Sequence, residues 1–244
     1  MALQKLKNII KKINKNSHLP DWYKKDLSDY NKMLYQIGSG EELKEFPQLY
    51  DKTSTTGFDH HYVYQGPWVF EKLLKTSPKK HVDVGSQINY MGFFSAVFPT
   101  TFVDIRPTKA DFSNFTELKG SILNMPYKNK SVESLSCLHV IEHIGLGRYG
   151  DKIDPMGSTK ACKELQRVVS KKGNLFVSVP VGKEVTYFNA HRVFNPSTIF
   201  EYFDELDLVK FDAINDKGDI VHDIDPKKAA FFDYGCGLFW FTRK

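Results

Sequence analysis

Between His81 and Val181 the chain repeats one pattern: a short apolar run, a turn, then an amphipathic stretch, and this alternation constrains the fold more than any other feature. "HVDVGS" (81–86) reads as a first strand ending in glycine, "INYMGFFSAVF" (88–98) as a helix, and "TFVDIRP" (101–107) as a second strand closed by proline. "LKGSILNMPY" (118–127) is a third unit and "SVESLSCLHV" (131–140) a fourth strand. "STKACKELQRVVSKKG" (158–173) predicts a helix capped by Ser158 or Thr159 and stopped by Gly173. "NLFVSVPV" (174–181) is a fifth strand, apolar almost throughout, as strands covered on both faces are. Strand and helix alternating at this length predict a Rossmann-like α/β fold, with a mostly parallel sheet between helices. Two late strands, 205–214 and 237–244, have no strong helix between them, which predicts an antiparallel hairpin at the sheet's edge.

Ahead of this domain, residues 1–60 read as an N-terminal helical extension, leaving 61–244 as the α/β domain, with Pro67 near the start of its first helix. The five lysines of residues 1–17 equal the whole surplus of 34 basic over 29 acidic residues. The remainder is neutral, which argues against a nucleic-acid partner needing a basic face. In residues 1–17, Leu3, Leu6, Ile9, Ile10 and Ile13 share an arc of roughly 120° on a helical wheel. Two readings of that basic helix stand: packing on its own domain or on a second copy in a homodimer, or weak attachment to an anionic membrane surface. With no secretory leader pattern and no spanning apolar run, the expected compartment is the cytoplasm, peripheral to the inner face of the membrane in the second reading. Cys137, Cys162 and Cys236 are widely spaced without a CxxC, predicting buried small residues and no metal site.

Ligands of open α/β sheets bind beyond the carboxyl ends of the strands. Asp104 ends the second strand, where a carboxylate can accept two hydrogen bonds from a ribose diol, although a turn aspartate before Pro107 gives the same sequence. Gly85 follows the first strand and lets backbone approach a ligand; Asp83 beside it can engage a cationic amine. The G-x-G-x-x-G of a dinucleotide phosphate cradle is missing.

The succession "VDVGS", "FVDI", "GSILNMPY", "SLSCLHVIEHI" and "ELQRVVSKKGNLFVSVP" resembles the motif order of class I S-adenosylmethionine-dependent methyltransferases. More narrowly, "IEHIGLGRYGD", "DPMGS", "GNLFVSVPVGKE" and "FNAHRVFNP" resemble domain of unknown function family 268, known from nematodes and found beside bacterial surface-polysaccharide genes. The resemblance covers roughly residues 65–215. It implies S-adenosyl-L-methionine as cofactor, with Asp83, Gly85 and Ser86 in the first motif, Asp104 at the ribose, Ser121 and Ile122 beside the adenine, and His139 at the edge of the methionine pocket. Two departures stand out: only Gly85 remains of the glycine-rich motif, and Ser121 occupies a position often held by an aspartate.

The segment "HIGLGRYGD" (143–151) places three glycines after the fourth strand. Such a loop can fold over a ligand, with Arg148 and Tyr149 contacting it and Asp151 fixing sugar hydroxyls or orienting a base. "FNAHRVFNP" (188–196) adds Asn189, His191 and Arg192. Two arginine-bearing loops at one cleft suit a sugar or nucleotide-sugar substrate. Methyl transfer to a hydroxyl requires alignment and a base, for which His143 and His191 are the candidates, oriented by Glu142 or Asp151. Glu142 and His143 can equally cap a short helix, and His191 and Arg192 can equally form an ion-paired turn. His60 and His61 are adjacent, so joint chelation is disfavoured; Asp219, His222, Asp223 and Asp225 read better as a solvated loop. The expected activity is O-methylation of a sugar in surface-polysaccharide biosynthesis. Its rivals are a non-catalytic binding module and a nicotinamide-dependent sugar-nucleotide enzyme.

Overall fold

The computed structural model describes residues 19–244, so the basic helix expected at 1–17 lies outside the described residues. The chain divides into two compact units, one ending at Phe58 and the other spanning Asp59–Lys244. In the first, α1 (Asp21–Gln36) buries no residue, and Lys52 pairs with Asp26 at 3.0 Å while lying over the Trp22 ring.

The second unit carries an eight-stranded sheet. Its strands are β1 (His81–Val84), β2 (Thr100–Asp104), β3 (Phe115–Lys119), β4 (Val132–Leu138), β5 (Val169–Val181), β8 (Asp207–Ile214), β9 (Ile220–Val221) and β10 (Gly235–Thr242). A separate two-stranded ribbon joins β6 (Val185–Tyr187) to β7 (His191–Val193). The sheet order is β3-β2-β1-β4-β5-β10-β8-β9, parallel from β3 to β5. The chain reverses direction in sequence order at β1 and β4, and that is where a crevice opens in a doubly wound sheet.

Helices cover both faces. On one, α4 (Gly157–Val168) and α5 (Pro196–Tyr202) bury Ala161, Leu165 and Ile199 against Val82, Val84 and Val177. On the other, α2 (His60–Thr76) and α3 (Ile88–Val97) bury Trp68, Leu73, Met91 and Phe94 against Phe102 and Phe176. Each such aromatic or branched side chain stabilises the fold by roughly 1.5–3 kcal/mol.

The two late strands pair antiparallel at one end of the sheet as expected, with β10 inserted antiparallel between β5 and β8 and its Gly235–Thr242 buried except for the half-buried last residue. Two expectations are corrected. The helix expected to run to Gly173 ends at Val168, because Val169 turns extended and Lys172 adopts φ 59°, which diverts Ser170–Gly173 into β5. Its first-turn Ser158 does not cap it but donates to Ile141 O at 2.7 Å. Pro67 lies inside α2, which starts earlier, where the Asp59 carboxylate accepts from Tyr62 N at 3.2 Å. No helix among the described residues is long and apolar enough to cross a membrane.

Candidate functional site

A cleft opens over the carboxyl ends of β1, β2 and β4, lined by Gly85, Asp104, Ser121, Ile122, His139, His143, Tyr149 and Asp151 among others. Its cavity volume is about 120 Å³, widening to about 670 Å³ when its open mouth is included.

Gly85 shapes its floor. At φ 66° it is in the left-handed region, and a Cβ there would stand 3.3 Å from both Val140 methyls and 3.8 Å from Asp104 Oδ2. The missing side chain therefore keeps open the space beside that carboxylate. Asp104 Oδ1 accepts from Arg106 N at 2.7 Å, which fixes the turn after β2 and leaves Oδ2 toward the cleft. Ile122, 6% exposed, supplies an apolar wall. The Ser121 hydroxyl accepts from Leu123 N at 3.2 Å and keeps its own proton to donate. These four residues form a cradle whose chemistry fits an adenosine: a carboxylate for a diol, an apolar flank, and a backbone that can be approached.

Asp83 and Ser86 do not belong to it. Asp83 is fully buried, and its carboxylate accepts from Ser86 N at 3.1 Å, from Ser86 Oγ at 2.7 Å and from Ser136 Oγ. Burial raises its pKa to about 6, against the pull of those hydrogen bonds. Ser86 also accepts from Leu138 N at 3.0 Å, tying the turn after β1 to the end of β4. The strand's alternation explains this: Asp83 shares a face with His81, whose ring contacts Ser134 and Ser136 at 2.9 Å each.

Beyond β4 the chain makes a short 3-10 turn, Ile141–His143, that presents Glu142 between two histidines. Glu142 is fully buried; its Oε1 lies 2.7 Å from His139 Nδ1 and 3.7 Å from His143 Nε2. Glu142 thus orients His139, while His143 takes its orientation from elsewhere: its Nδ1 lies 2.6 Å from Ala190 O, which requires the proton on Nδ1 and leaves Nε2 as an acceptor. Burial lowers the His143 pKa, so the ring is neutral near pH 7.

The glycine loop is built for its own closure. Gly145 takes φ 82°, and a Cβ on it would meet Asp154 O at 2.0 Å. Asp151, in the cleft lining, accepts from Gly145 N at 2.6 Å and from Tyr149 N at 3.4 Å, so this carboxylate staples the loop. Arg148, exposed, donates to Ala190 O at 3.2 Å, and Tyr149 lies under the Arg106 guanidinium at 4.5 Å.

The second polar segment is displaced from the cleft lining. His191 sits on β7 between the rings of Tyr187 and Tyr234, at 5.2 and 5.1 Å. Asn189 reaches Leu146 O at 3.5 Å. Arg192 is buried and donates to Ile144 O at 2.8 Å, Ser158 Oγ at 2.9 Å and Glu142 O at 3.4 Å. It welds the 3-10 turn to α4 and β7, so it is a structural cation and not a substrate contact. The acids near the C-terminus are likewise occupied: Asp223 pairs with Lys210 at 2.8 Å and Asp225 caps Lys227 N at 2.9 Å. Arg106 was missed by the sequence reading although it stands two residues after Asp104.

The sheet order and the cleft set the frame for comparison with known proteins. Residues 117–220 match the DUF268 family model. That family is described as a Caenorhabditis protein of unknown function, and the matched span holds β3 through the start of β9, including the 3-10 turn, the glycine loop and the β6–β7 ribbon. No curated protein matches the chain. Among solved structures, a Galdieria sulphuraria protein assigned as a sarcosine dimethylglycine methyltransferase superposes with TM-score 0.53 at 13% identity, over 73% of this chain and 85% of that one. The N-methyltransferase NodS of Bradyrhizobium japonicum gives 0.52 at 11% identity over 75% and 97%. The [4+2]-cyclase SpnF gives 0.54 at 9% identity over 73% and 79%. The chain therefore has the Rossmann-like α/β fold of class I S-adenosylmethionine-dependent methyltransferases.

Proposed function

We propose that this chain binds S-adenosylmethionine in the cleft at Gly85, Asp104, Ser121 and Ile122 and methylates a hydroxyl of a sugar or nucleotide-sugar in surface-polysaccharide assembly. The observation carrying this is the open cradle at Gly85 against the free oxygen of Asp104, on a fold shared with methyltransferases. When bound, the cofactor supplies an electrophilic methyl group. Asp104 Oδ2 would accept from the ribose, Ile122 would flank the base, and Ser121 would donate to it. His143 lines the same cleft and would take the acceptor's proton on Nε2, which lies 3.7 Å from Glu142 Oε1. The exposed Arg148 at the loop's tip suits an anionic group on the acceptor. The surface-glycan setting rests on the family resemblance.

Calorimetric titration of the full chain with S-adenosylhomocysteine tests this. Binding is expected, with Asp104→Ala weakening it at least tenfold, since each charge-assisted hydrogen bond is worth ~1.5–3 kcal/mol. Unchanged affinity in that variant would relocate the ligand.

A second reading, a non-catalytic binding module, is favoured by the small cavity: about 120 Å³ is below the ~300 Å³ at which small-molecule sites begin. The cyclase SpnF also illustrates that this fold does not fix one reaction. Absence of any heat with S-adenosylhomocysteine at millimolar concentration supports this module.

A further inference from the structure

His61, His139 and Cys236 are far apart in sequence, yet a ligand atom from each lies within 4.8 Å of the others. We propose that these three side chains form a binding site for a zinc-class divalent ion, with Glu142 orienting His139.

One strand residue organises the cluster. The backbone oxygen of Ser178 on β5 accepts from His139 N at 2.9 Å, while its hydroxyl donates to Gln65 of α2. Gln65 is one helical turn from His61, so it anchors the face that presents this histidine. Cys236 opens β10 opposite Pro180, two residues along β5 from Ser178. The three donors are thus mounted on a helix, a strand end and a neighbouring strand, all registered on β5.

The donor atoms converge on one point, and an ion there would displace the protons they carry. His139 Nδ1 donates to Glu142 Oε1, which leaves Nε2 as the ligand nitrogen, and Nε2 is buried with no hydrogen-bond partner. The Cys236 thiol interacts with this ring and also reaches Gly237 O at 3.8 Å. A buried nitrogen left this way is destabilising, and coordination would satisfy it. A carboxylate on the far nitrogen of a ligating histidine is the usual outer partner of zinc, and Glu142 holds this position with its other oxygen also unpaired. His61 is stacked on His139 at 5.3 Å. Cys236 is fully buried.

Zinc bonds of ~2.0–2.1 Å to nitrogen and ~2.3 Å to sulfur put tetrahedral donors about 3.3–3.7 Å apart. The three side chains would therefore close by no more than about 1.5 Å. Two imidazoles and a thiolate favour zinc or cobalt over magnesium or calcium, which prefer oxygen donors. Three protein ligands leave a fourth position open, and His139 also lines the cleft, so the ion would border the ligand site.

The test uses metal alone and does not depend on the adenosyl reading. Untagged full-length protein, stripped with chelator and equilibrated with micromolar Zn²⁺, is expected to retain one equivalent. Co²⁺ in its place is expected to give thiolate charge-transfer absorption that Cys236→Ser abolishes. His61→Ala and Glu142→Gln are expected to weaken zinc binding 10- to 100-fold. Circular dichroism establishes that each variant is folded; His61 is only half-buried, so His61→Ala serves where Cys236→Ser does not fold. Retention of less than a tenth of an equivalent by the parent protein, or equal retention by the parent and folded His61→Ala, would overturn the site. Binding of S-adenosylhomocysteine, measured separately, stands or falls without it.

Discussion

Arg106 stacks its guanidinium 4.5 Å above the ring of Tyr149, joining the turn after β2 to the glycine loop after β4 across the mouth of the cleft. An exposed cation–π pair of this kind contributes about 0.5–1 kcal/mol, which is a factor of about 2–5 in a rate. A ligand that passes between these two turns parts the pair. Tyr149→Ala is therefore expected to speed both association and dissociation of S-adenosylhomocysteine by about that factor, with little change in the equilibrium constant. Stopped-flow fluorescence reads both rates, and unchanged rates would show that the ligand enters elsewhere.

Arg192 yields a prediction opposite to that for a substrate contact. Its guanidinium satisfies Ile144 O, Glu142 O and Ser158 Oγ inside the protein. Replacing it by methionine keeps much of the volume but leaves two buried carbonyls and a hydroxyl with fewer partners, at ~1–3 kcal/mol for each group left unsatisfied. Arg192→Met is expected to lose roughly 2–5 kcal/mol in urea unfolding. A loss below 0.5 kcal/mol, together with weaker ligand binding, would return this residue to the substrate list.

The parts of this molecule that were legible in the sequence are those set by local periodicity. The run from His81 to Val181 announced the parallel sheet, and Asp104 and Gly85 could be placed because each ends a strand. Asp83 was misplaced because strand alternation was not carried through: it shares the face of His81, under α2 and α3, and its partner Ser136 is on another strand. Arg192 and Asp151 are charged groups consumed by backbone atoms, which no local pattern reveals. The cluster of His61, His139 and Cys236 depends on β10 inserting beside β5, a pairing across the whole domain. Sequence spacing carries no trace of it.

His143 is expected to titrate below the ordinary histidine value of 6.5, because burial disfavours its charged form and Arg148 repels it. Protonation needs a lower pH, so the neutral imidazole with its proton on Nδ1 dominates at pH 7. Nitrogen chemical shifts of the labelled ring report both the tautomer and the midpoint. Arg148→Ala removes the repulsion and is expected to move the midpoint upward. A midpoint above 6.5 in the parent protein would contradict the assignment of Nε2 as the proton acceptor.

The buried chain His81–Ser136–Asp83 links stability to pH in two opposing ways. His81 is fully buried, and loss of solvation lowers its pKa to about 3. Between about pH 6.5 and 3 the unfolded chain binds a proton at this site that the folded chain refuses, so the contribution of His81 is complete above pH 6.5 and falls away as the pH drops, by ~1.4 kcal/mol per unit well below 6.5. Asp83 acts in reverse: with its pKa raised from 3.8 to about 6, the folded state holds the extra proton, and stability falls as pH rises through that window. Between pH 4 and 6 the two slopes largely cancel. His81→Gln removes only the first, and Gln can still donate toward a serine hydroxyl. Relative to this variant, the parent protein is expected to lose about 2–3 kcal/mol in unfolding free energy from pH 6 to pH 4. Denaturant titrations of both proteins at each pH give the difference directly, and a difference that does not vary with pH would mean that His81 accepts a proton in the folded core.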